Sequence, residues 1–254
     1  MGIVVGIDIG GSTTKIAGFQ GKDMLIPVQI SASNAIASLF GAFGKFLYDN
    51  KLALEDIQQV NLTGVGCSAV DQAIYGLPTY RVDEFTANGV GGGYFAQGKK
   101  EFMVVSMGTG TSFVGVKDGI PTHLGGIGIG GGTIIGLSKL MLNTSDIDKI
   151  QELALGGQVG HIDLRVGDIS EKPLPGLNLE VTASNFGKAS SRATCEDKAA
   201  GIVHMGIESI CQTAALISQG TNMKDFILIG ALTNFPECEA VCGMIKTLFP
   251  DLNF

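Results

Sequence analysis

The sequence Asp8-Ile9-Gly10-Gly11-Ser12-Thr13-Thr14-Lys15 is the strongest indication of the fold. It follows a β-branched run over residues 3–9, and a second strand-like run over residues 13–19 begins directly after the two glycines. Two such runs around a Gly-Gly turn predict a β-hairpin. Because glycine lets a backbone approach a ligand closely, we expect this turn to lie against one.

The same stretch carries groups that bind phosphate. Backbone N–H groups of the two glycines can converge on an anion, and the hydroxyls of Ser12 and Thr13 add donors. Lys15 supplies a positive charge, and Asp8 could hold a hydrated Mg²⁺. An ordinary hairpin turn with an exposed lysine is the alternative that this segment alone leaves open. The Walker A pattern does not occur in the sequence.

A second glycine turn, Met107-Gly108-Thr109-Gly110-Thr111-Ser112, lies between strand-like runs over residues 102–106 and 112–116. Its glycines and hydroxyls could meet phosphate oxygens in the same way. Strand, glycine turn and strand thus occur twice in the chain. The repeat predicts two α/β domains, residues 1–100 and 101–254, that face each other with a ligand held by both turns.

A third glycine-rich run covers residues 125–133 and leads into a predicted helix. Glycine is expensive in conformational entropy, so a mere connector would not need so many. A helix N-terminus is also a favourable place for an anion. The pattern G-x-G-x-x-G can be found at residues 126–131, but it lacks the βαβ context of a Rossmann fingerprint. Three glycine segments together favour a nucleotide site.

Composition excludes several classes of function. The net charge is −7 and no basic block occurs, which argues against nucleic acid as a partner. Apolar runs fall short of a membrane span, and Asp8 interrupts the apolar opening that a signal peptide would need. The five cysteines are interpreted as reduced thiols. We therefore expect a cytoplasmic protein without a membrane partner.

Hydrophobic periodicity predicts the remaining elements. Further strands are expected over residues 25–30, 59–63, 79–82 and 226–229. Helices are expected over residues 34–48, 69–75, 84–96, 131–142, 146–154, 196–219 and 236–248. A loop is expected over residues 171–179.

The two glycine turns resemble the phosphate loops of the superfamily of sugar kinases, actin and heat-shock chaperones. Within it, the chain most resembles the type II pantothenate kinases over nearly its whole length. Further segments that carry this resemblance are Asp83-Glu84-Phe85, residues 125–132 followed by Gly136-Leu137, Ile162-Asp163-Leu164-Arg165-Val166, Thr182-Ala183-Ser184-Asn185-Phe186-Gly187 and Ile229-Gly230-Ala231.

The resemblance implies an actin-like, ribonuclease-H-like α/β fold with the nucleotide cleft between two facing domains. It implies a kinase that transfers the γ-phosphoryl group of ATP, with Mg²⁺, to the primary hydroxyl of pantothenate in the first step of coenzyme A synthesis. Glu84 falls at the family's general base, and a carboxylate after the strand at 79–82 could accept the hydroxyl proton. Alternatively, Asp83 and Glu84 only complement a helix dipole. Lys15 would stabilise the transferring charge.

The resemblance also implies a set of binding residues, a homodimer and a possible coenzyme A thioester as feedback ligand. The residues expected to bind ATP are Asp8, Gly10, Gly11, Ser12, Thr13, Gly108, Thr109, Gly110, Thr111, Gly131, Gly132, Thr133, Ile134, Ile135, Gly230 and Ala231, with Asp8 also the metal ligand. His123 and Gly125 are expected at the acceptor. His123 stands where the family typically has an arginine, so the acceptor is pantothenate or a close analogue; a histidine lacks the two-pronged guanidinium fork that suits a carboxylate.

Two rival functions remain on this sequence. Iron–sulfur ATPases that activate acyl-CoA dehydratases share the opening motif, and Cys67 is the nearest candidate for a cluster ligand. A nucleotide-binding switch without turnover could use the same fold, although Lys15 and Glu84 together argue against it. No His-x-x-x-His or Cys-x-x-Cys spacing supports a zinc site.

Overall fold

A computed structural model of the chain describes residues 2–31, 34–170, 172 and 178–254. The chain forms two compact units, Met1–Asn88 and Gly89–Phe254, which we call unit 1 and unit 2. The division lies inside a helix, before the predicted boundary at residue 100. Each unit has its own hydrophobic core.

Unit 1 is built on one mixed sheet. Its elements are β1 (Ile3–Ile9), β2 (Thr13–Gln20), β3 (Asp23–Met24), β4 (Val28–Ser31), helix α1 (Ala35–Asn50), β5 (Ile57–Thr63), β6 (Thr79–Arg81) and the start of helix α2 (Glu84–Phe95). The strand order is β3-β2-β1-β5-β6, and β4 pairs with β2. Strand β1 runs antiparallel to β2 and parallel to β5. The carboxyl ends of β1 and β5 therefore meet at one edge of the sheet.

Helix α1 covers one face of this sheet. Asn34 caps the helix, accepting a hydrogen bond of 3.0 Å from the Ala37 N–H. Phe43 and Phe46 are fully buried between helix and sheet. A Cβ at Gly18 of β2 would lie 2.5 Å from the Phe46 ring, so the glycine makes room for this aromatic packing.

Unit 2 has a four-stranded sheet with order β12-β7-β8-β9 and a short ribbon of β10 and β11. Its elements after α2 are β7 (Glu101–Met107), β8 (Thr111–Lys117), β9 (Ile120–Ile127), α3 (Gly131–Leu142), α4 (Ile147–Gly156), β10 (Leu164–Arg165), α5 (Val166–Ile169), β11 (Thr182–Ser184), α6 (Cys195–Thr221), β12 (Phe226–Ile229) and α7 (Pro236–Leu248). Strands β7 and β8 are antiparallel around the second glycine turn, whereas β12 is parallel to β7.

Helix α6 forms the centre of unit 2. It is long and apolar enough to cross a membrane by length and composition, but 67% of its apolar window is buried within the fold. Ile202, Ile207 and Ile210 are completely buried, and the helix packs against α3, α4 and α7. These contacts are those of a core helix.

Two predicted elements differ from the structure. The expected strand at 25–30 is wrong in extent, because the Ile26 N–H and C=O both bond to the Asn50 side chain at 2.9 Å instead of to a strand. The expected helix at 69–75 is wrong. The chain there makes two short 3₁₀ turns, Val65–Ala69 and Ile74–Gly76, and Tyr75 has a positive φ of 48° that breaks any helix.

Strand β9 was not expected, because Pro121 and two glycines hide its pattern. Within the described ranges it pairs only with β8, which makes it an edge strand, where proline is tolerated. In the loop predicted over 171–179, residues 171 and 173–177 lie outside the described part of the chain.

Candidate active site

The first glycine turn forms the predicted hairpin between β1 and β2. The Gly10 N–H donates to the Thr13 carbonyl at 2.9 Å, which closes the turn. Gly11 is exposed, and no atom lies within 4 Å of the place where its Cβ would be. The tip of the turn is therefore open. The predicted β-hairpin around Gly10 and Gly11 is confirmed.

Asp8 and Lys15 lie opposite each other across this hairpin. They are register partners on β1 and β2, and the Lys15 Nζ lies 3.0 Å from the Asp8 Oδ2. Both side chains are well exposed, at 43% for Lys15 and 38% for Asp8. Ion pairs with this exposure contribute about 0–1 kcal/mol to stability. The pair is thus better suited to meeting a charged ligand than to holding the fold.

The segment after β5 lies against Asp8, which sequence reasoning did not anticipate. Gly64 has a φ of 88°, and a Cβ on it would overlap the Asp8 Oδ1 and lie 2.6 Å from the Ile9 carbonyl oxygen. The adjacent Thr63 is the register partner of Asp8 on the parallel strand β5. Its Oγ1 is buried without a hydrogen-bond partner among the described residues. The run Thr63-Gly64-Val65-Gly66 after a strand is the signal that could have identified this contact.

The carboxylates that begin α2 have different environments. Asp83 caps the helix, since its carboxylate accepts from the Phe85 N–H at 2.9 Å and the Thr86 N–H at 3.2 Å. Burial and the neighbouring carboxylate of Asp8 raise the pKa of Glu84, against the opposing effect of Lys15. Glu84 therefore interacts with the charges of the hairpin while Asp83 satisfies the helix end.

In unit 2, the glycine-rich run fixes the second turn from behind. The Gly131 N–H donates to the Gly108 carbonyl at 2.8 Å, and the Gly132 N–H donates to the Thr109 carbonyl at 2.9 Å. A Cβ at Gly130 would lie 2.6 Å from the Thr109 carbonyl oxygen. We call this arrangement of residues 108–110 and 130–132 the clamp. The clamp occupies N–H groups at the start of α3 that we had expected to bind an anion.

Two threonines predicted to bind ATP, Thr111 at the phosphates and Thr133 on the adenosine side, donate their hydroxyls to the glycine-rich run. Thr111 is 5% exposed, and its hydroxyl donates to the Ile129 carbonyl at 2.8 Å. The Thr133 hydroxyl donates to the Gly128 carbonyl at 2.8 Å. These threonines hold the glycine-rich run in place.

The predicted adenosine-side residues lie around the same turn. Gly230, with a φ of 105°, follows β12, and a Cβ on it would overlap the Met107 carbonyl, just before the turn. Ala231 begins the 3₁₀ helix Ala231–Asn234. Ile134 is fully buried against Gly206 of α6, whereas Ile135 is half-buried. Ile134 is a core residue, so a ligand contact from this helix would fall to its neighbours.

His123 and Gly125 lie on β9, where the register with β8 shifts. Val114 pairs with His123 and Phe113 with Gly125, so the residue between them is extra and forms a bulge. Gly125 has a φ of 144°, and His123 is exposed. A bulge of this kind re-aims the side chains beside it.

Two of the segments that carry the resemblance, residues 162–166 and 182–187, meet in a buried polar cluster of unit 2, which we call the His204 cluster. The His204 Nδ1 lies 2.6 Å from the Glu237 Oε1, its Nε2 lies 3.2 Å from the Thr182 hydroxyl and 3.7 Å from the Glu208 Oε2. Burial alone would lower the pKa of His204, but the Glu208 and Glu237 carboxylates outweigh it and raise the pKa to about 9. Asn185 links the cluster onward, donating to Glu208 at 3.0 Å and to the fully buried Asp163 at 3.4 Å.

The described residues suit Mg²⁺ in the manner of a phosphate-bound ion. Among them, no group of three or more His, Cys, Asp or Glu side chains could form an all-protein metal cage. Magnesium usually needs only one or two carboxylates beside substrate phosphates. The exposed Asp8 carboxylate next to the unpartnered Thr63 hydroxyl is consistent with such a site.

Comparison with known proteins places the chain in a family. The family model described as Fumble matches residues 94–237. The type II pantothenate kinase of Bacillus cereus strain G9842 is 30% identical over 244 residues, covering 89% of this chain and 83% of that protein. The chain belongs to the type II pantothenate kinase family. The predicted resemblance is thereby confirmed.

Solved structures show the fold of this family member. The activator of the 2-hydroxyisocaproyl-CoA dehydratase of Clostridium difficile, solved with bound ADPNP, has a TM-score of 0.68 at 16% identity and covers 95% of this chain and 85% of that chain. Component A of the Acidaminococcus fermentans (R)-2-hydroxyglutaryl-CoA dehydratase has a TM-score of 0.68 at 14% identity, with coverage of 96% and 88%. The predicted α/β fold of actin-like ATPase type is confirmed. Identities this low carry the fold alone.

The cysteines of the kinase-family chain have distinct surroundings. Cys67 packs against the hydrophobic core of unit 1. In unit 2, Cys238 and Cys242 lie in one helix, and the Cys242 Sγ lies 3.9 Å from the Cys211 Sγ. Cys211 and burial raise the pKa of Cys242 to about 12. Cys195 is exposed at the start of α6. Four of these thiols therefore pack in or against the two hydrophobic cores.

Proposed function

We propose that this protein transfers the γ-phosphoryl group of ATP to the primary hydroxyl of pantothenate, the first step of coenzyme A biosynthesis. The observation that carries the proposal is the electrostatic neighbourhood of Glu84, Asp8 and Lys15 in unit 1. A carboxylate beside a phosphate-binding lysine is what phosphoryl transfer to an alcohol requires. The names of the relatives at 30% identity support the same reaction.

Glu84 would act as the general base. As the acceptor oxygen forms its bond to the γ-phosphorus and the bond to the ADP oxygen breaks, the hydroxyl proton passes to the Glu84 carboxylate. The raised pKa of Glu84 makes it a better proton acceptor than an ordinary surface glutamate. Lys15 would offset the negative charge of the transferring group. Asp8 would hold Mg²⁺, which when bound neutralises phosphate charge.

The nucleotide would be held largely by backbone. Residues 10–13 and 108–111 would line the phosphates, and residues 131–135 with Gly230 and Ala231 would lie on the adenosine side. Because the Gly131 and Gly132 N–H groups already bond to the second turn, their contribution would be shape rather than hydrogen bonds. A homodimer in the cytoplasm, regulated by a coenzyme A thioester, completes the proposal.

ADP release tests this function directly. The purified protein is assayed with MgATP and, in turn, pantothenate, pantetheine and simple sugars. We expect ADP release only with a pantothenate-like alcohol. Tight ATP binding without turnover on any acceptor would favour the nucleotide switch, and an oxygen-sensitive brown protein with stoichiometric iron would favour the dehydratase activator.

His123 is the residue with which to test the acceptor. If the acceptor carboxylate contacts the exposed side chain of His123, His123→Arg should lower the KM for pantothenate, because guanidinium can bind a carboxylate with two hydrogen bonds. The KM for pantetheine, which lacks the carboxylate, should not fall. Equal KM values for pantothenate in the parent and the variant would show that His123 does not contact the acceptor.

A further inference from the structure

The carboxyl edge of the unit 1 sheet has an unusual close contact. Strands β1 and β5 run parallel with Asp8 opposite Thr63. Immediately after Thr63 the chain turns at Gly64, whose φ of 88° is in the left-handed region. The turn sends the backbone across the end of β1 instead of away from it.

The contact involves the Asp8 carboxylate itself. A Cβ on Gly64 would overlap the Asp8 Oδ1, so the bare Cα of Gly64 is what leaves space for this oxygen. The other oxygen, Oδ2, lies 3.0 Å from the Lys15 Nζ. The carboxylate is therefore bounded on one side by the lysine and on the other by the Gly64 backbone. Free rotation of the carboxylate is limited from both directions.

We infer that Gly64 is a positioning residue for Asp8: it sets the orientation in which the Asp8 carboxylate meets Mg²⁺ and the phosphates. The inference rests on the proposed function of Asp8. A methyl group at position 64 would displace Oδ1. The other atoms that it would meet belong to the Ile9 backbone, which is less free to move than a side chain. Misplacing a catalytic group by about 1 Å can reduce the rate about 10²-fold.

The fold offers a matched control for backbone strain. Gly76, also in unit 1, has a φ of 76°, but a Cβ there would meet nothing within 4 Å. An alanine at either position must adopt a positive φ, which L-residues disfavour. Only at position 64 does the methyl group also meet a functional side chain. The difference between the two variants therefore isolates the contacts with Asp8 and with the Ile9 backbone from backbone strain, and an Asp8→Ala background separates these two contacts from each other.

The experiment compares Gly64→Ala with Gly76→Ala. Isothermal titration measures ATP affinity with Mg²⁺ and with EDTA, and steady-state kinetics measures kcat and the Mg²⁺ concentration for half-maximal rate. We expect Gly64→Ala to lose most of the gain in ATP affinity that Mg²⁺ gives the parent, and to reduce kcat by about 10²-fold. Gly76→Ala should keep both close to the parent values. Equal behaviour of the two variants would overturn the inference.

A double-mutant cycle shows whether Gly64 acts through Asp8. In an Asp8→Ala background, Gly64→Ala should have little further effect on the Mg²⁺ dependence, because the displaced carboxylate is already gone. If Gly64→Ala alone folds poorly, Asp8→Ala should raise its melting temperature in part, because it removes the overlap with the carboxylate while the contact with the Ile9 backbone remains. Independent, multiplicative effects, or no rescue of melting temperature, would contradict the positioning role.

The same cycle separates this inference from the proposed function. If Asp8→Ala leaves the Mg²⁺ dependence of ATP binding unchanged, the proposed role of Asp8 fails. If Asp8→Ala abolishes that dependence while Gly64→Ala behaves like Gly76→Ala, only the positioning inference fails.

Discussion

The two glycine turns have the same sequence pattern but different physical construction. The turn of unit 1 is open at Gly11 and is flanked by the exposed charges of Asp8 and Lys15. The turn of unit 2 is held by the clamp, and the Thr111 hydroxyl beside it is already bonded to a carbonyl. The turn of unit 1 thus carries charged side chains and is open at its tip. The turn of unit 2 carries no charged side chain, and hydrogen bonds hold its backbone in place. We infer that chemistry depends on the first turn and nucleotide fit on the second.

The largest effect should follow from removing the base beside the first turn. Glu84→Gln keeps the size of the side chain but cannot accept a proton, so we expect kcat to fall by about 10²–10⁴-fold with ATP affinity nearly unchanged. Asp83→Asn is the matched control, since it also replaces a carboxylate by an amide and asparagine caps helices as well as aspartate does. If Glu84→Gln retains more than about a tenth of the activity, Glu84 is not the general base and only complements the dipole at the start of α2.

A smaller loss is expected from the lysine of the first turn. Lys15→Ala should reduce kcat by about 10²–10³-fold, the usual cost of removing one group that stabilises transition-state charge. Its melting temperature should stay near the parent value, because exposed ion pairs add little stability. Lys45→Ala removes another exposed pair, with Asp49 at 2.7 Å, and should change neither quantity. If both variants have a similar kcat, Lys15 does not contribute to the chemistry, and the assignment of the chemistry to the first turn is wrong.

The second turn should respond in affinity rather than in chemistry. Gly130 has an extended backbone with φ −176°, so alanine strains it only through contacts of its Cβ with the backbone of residues 108–110. We expect Gly130→Ala to lower the free energy of unfolding by about 1–3 kcal/mol, and to weaken ATP binding by about tenfold, as a loss of 1.4 kcal/mol would.

Gly128→Ala is the control for the clamp, because a Cβ there meets nothing within 4 Å. Thermal unfolding and ATP titration of both variants measure the difference. A Gly130→Ala protein that binds ATP normally but has a much lower kcat would reverse the roles assigned to the two turns.

The smallest effect on activity should come from the His204 cluster, which provides a stability reference for unit 2. The pKa of His204 in the folded chain, about 9, exceeds the ordinary 6.5. Protonated His204 therefore stabilises the folded chain fully below pH 6.5, and this contribution is lost as the pH rises through 9. We expect the free energy of unfolding to fall over this range by about 3 kcal/mol, and this dependence to be absent in His204→Gln. Replacing His161, whose side chain is 58% exposed, should leave the dependence in place.

Local sequence was sufficient for much of the fold. The hairpin, the helices α1, α3, α6 and α7 and the buried strands follow from glycine turns and from hydrophobic spacing. Strand β9 was not predicted, because Pro121 and the nearby glycines leave no alternating hydrophobic pattern. Its pairing with β8 is visible only in the structure. The expected helix at 69–75 does not form, and Tyr75, whose ring contacts those of Phe40 and Phe43, has a left-handed backbone conformation there.

The candidate site was predictable in its residue types but not in its contacts. Asp8 and Lys15 were recognisable from the opening motif, since both lie in one hairpin. The contact between Asp8 and Gly64 was not, because it joins strands separated by a helix in sequence. The direction of the Thr111 hydroxyl depends on a carbonyl of β9's following loop, which no pattern near Thr111 reveals.

The uneven exposure of the cysteines gives this molecule a single convenient chemical handle. Cys211 and Cys238 are buried, Cys67 and Cys242 are half-buried, and Cys195 is exposed at the first residue of α6. Maleimides and similar reagents attack accessible thiolates, so brief treatment should modify Cys195 first. A fluorophore attached there would report on the end of the central helix of unit 2 without any engineered residue.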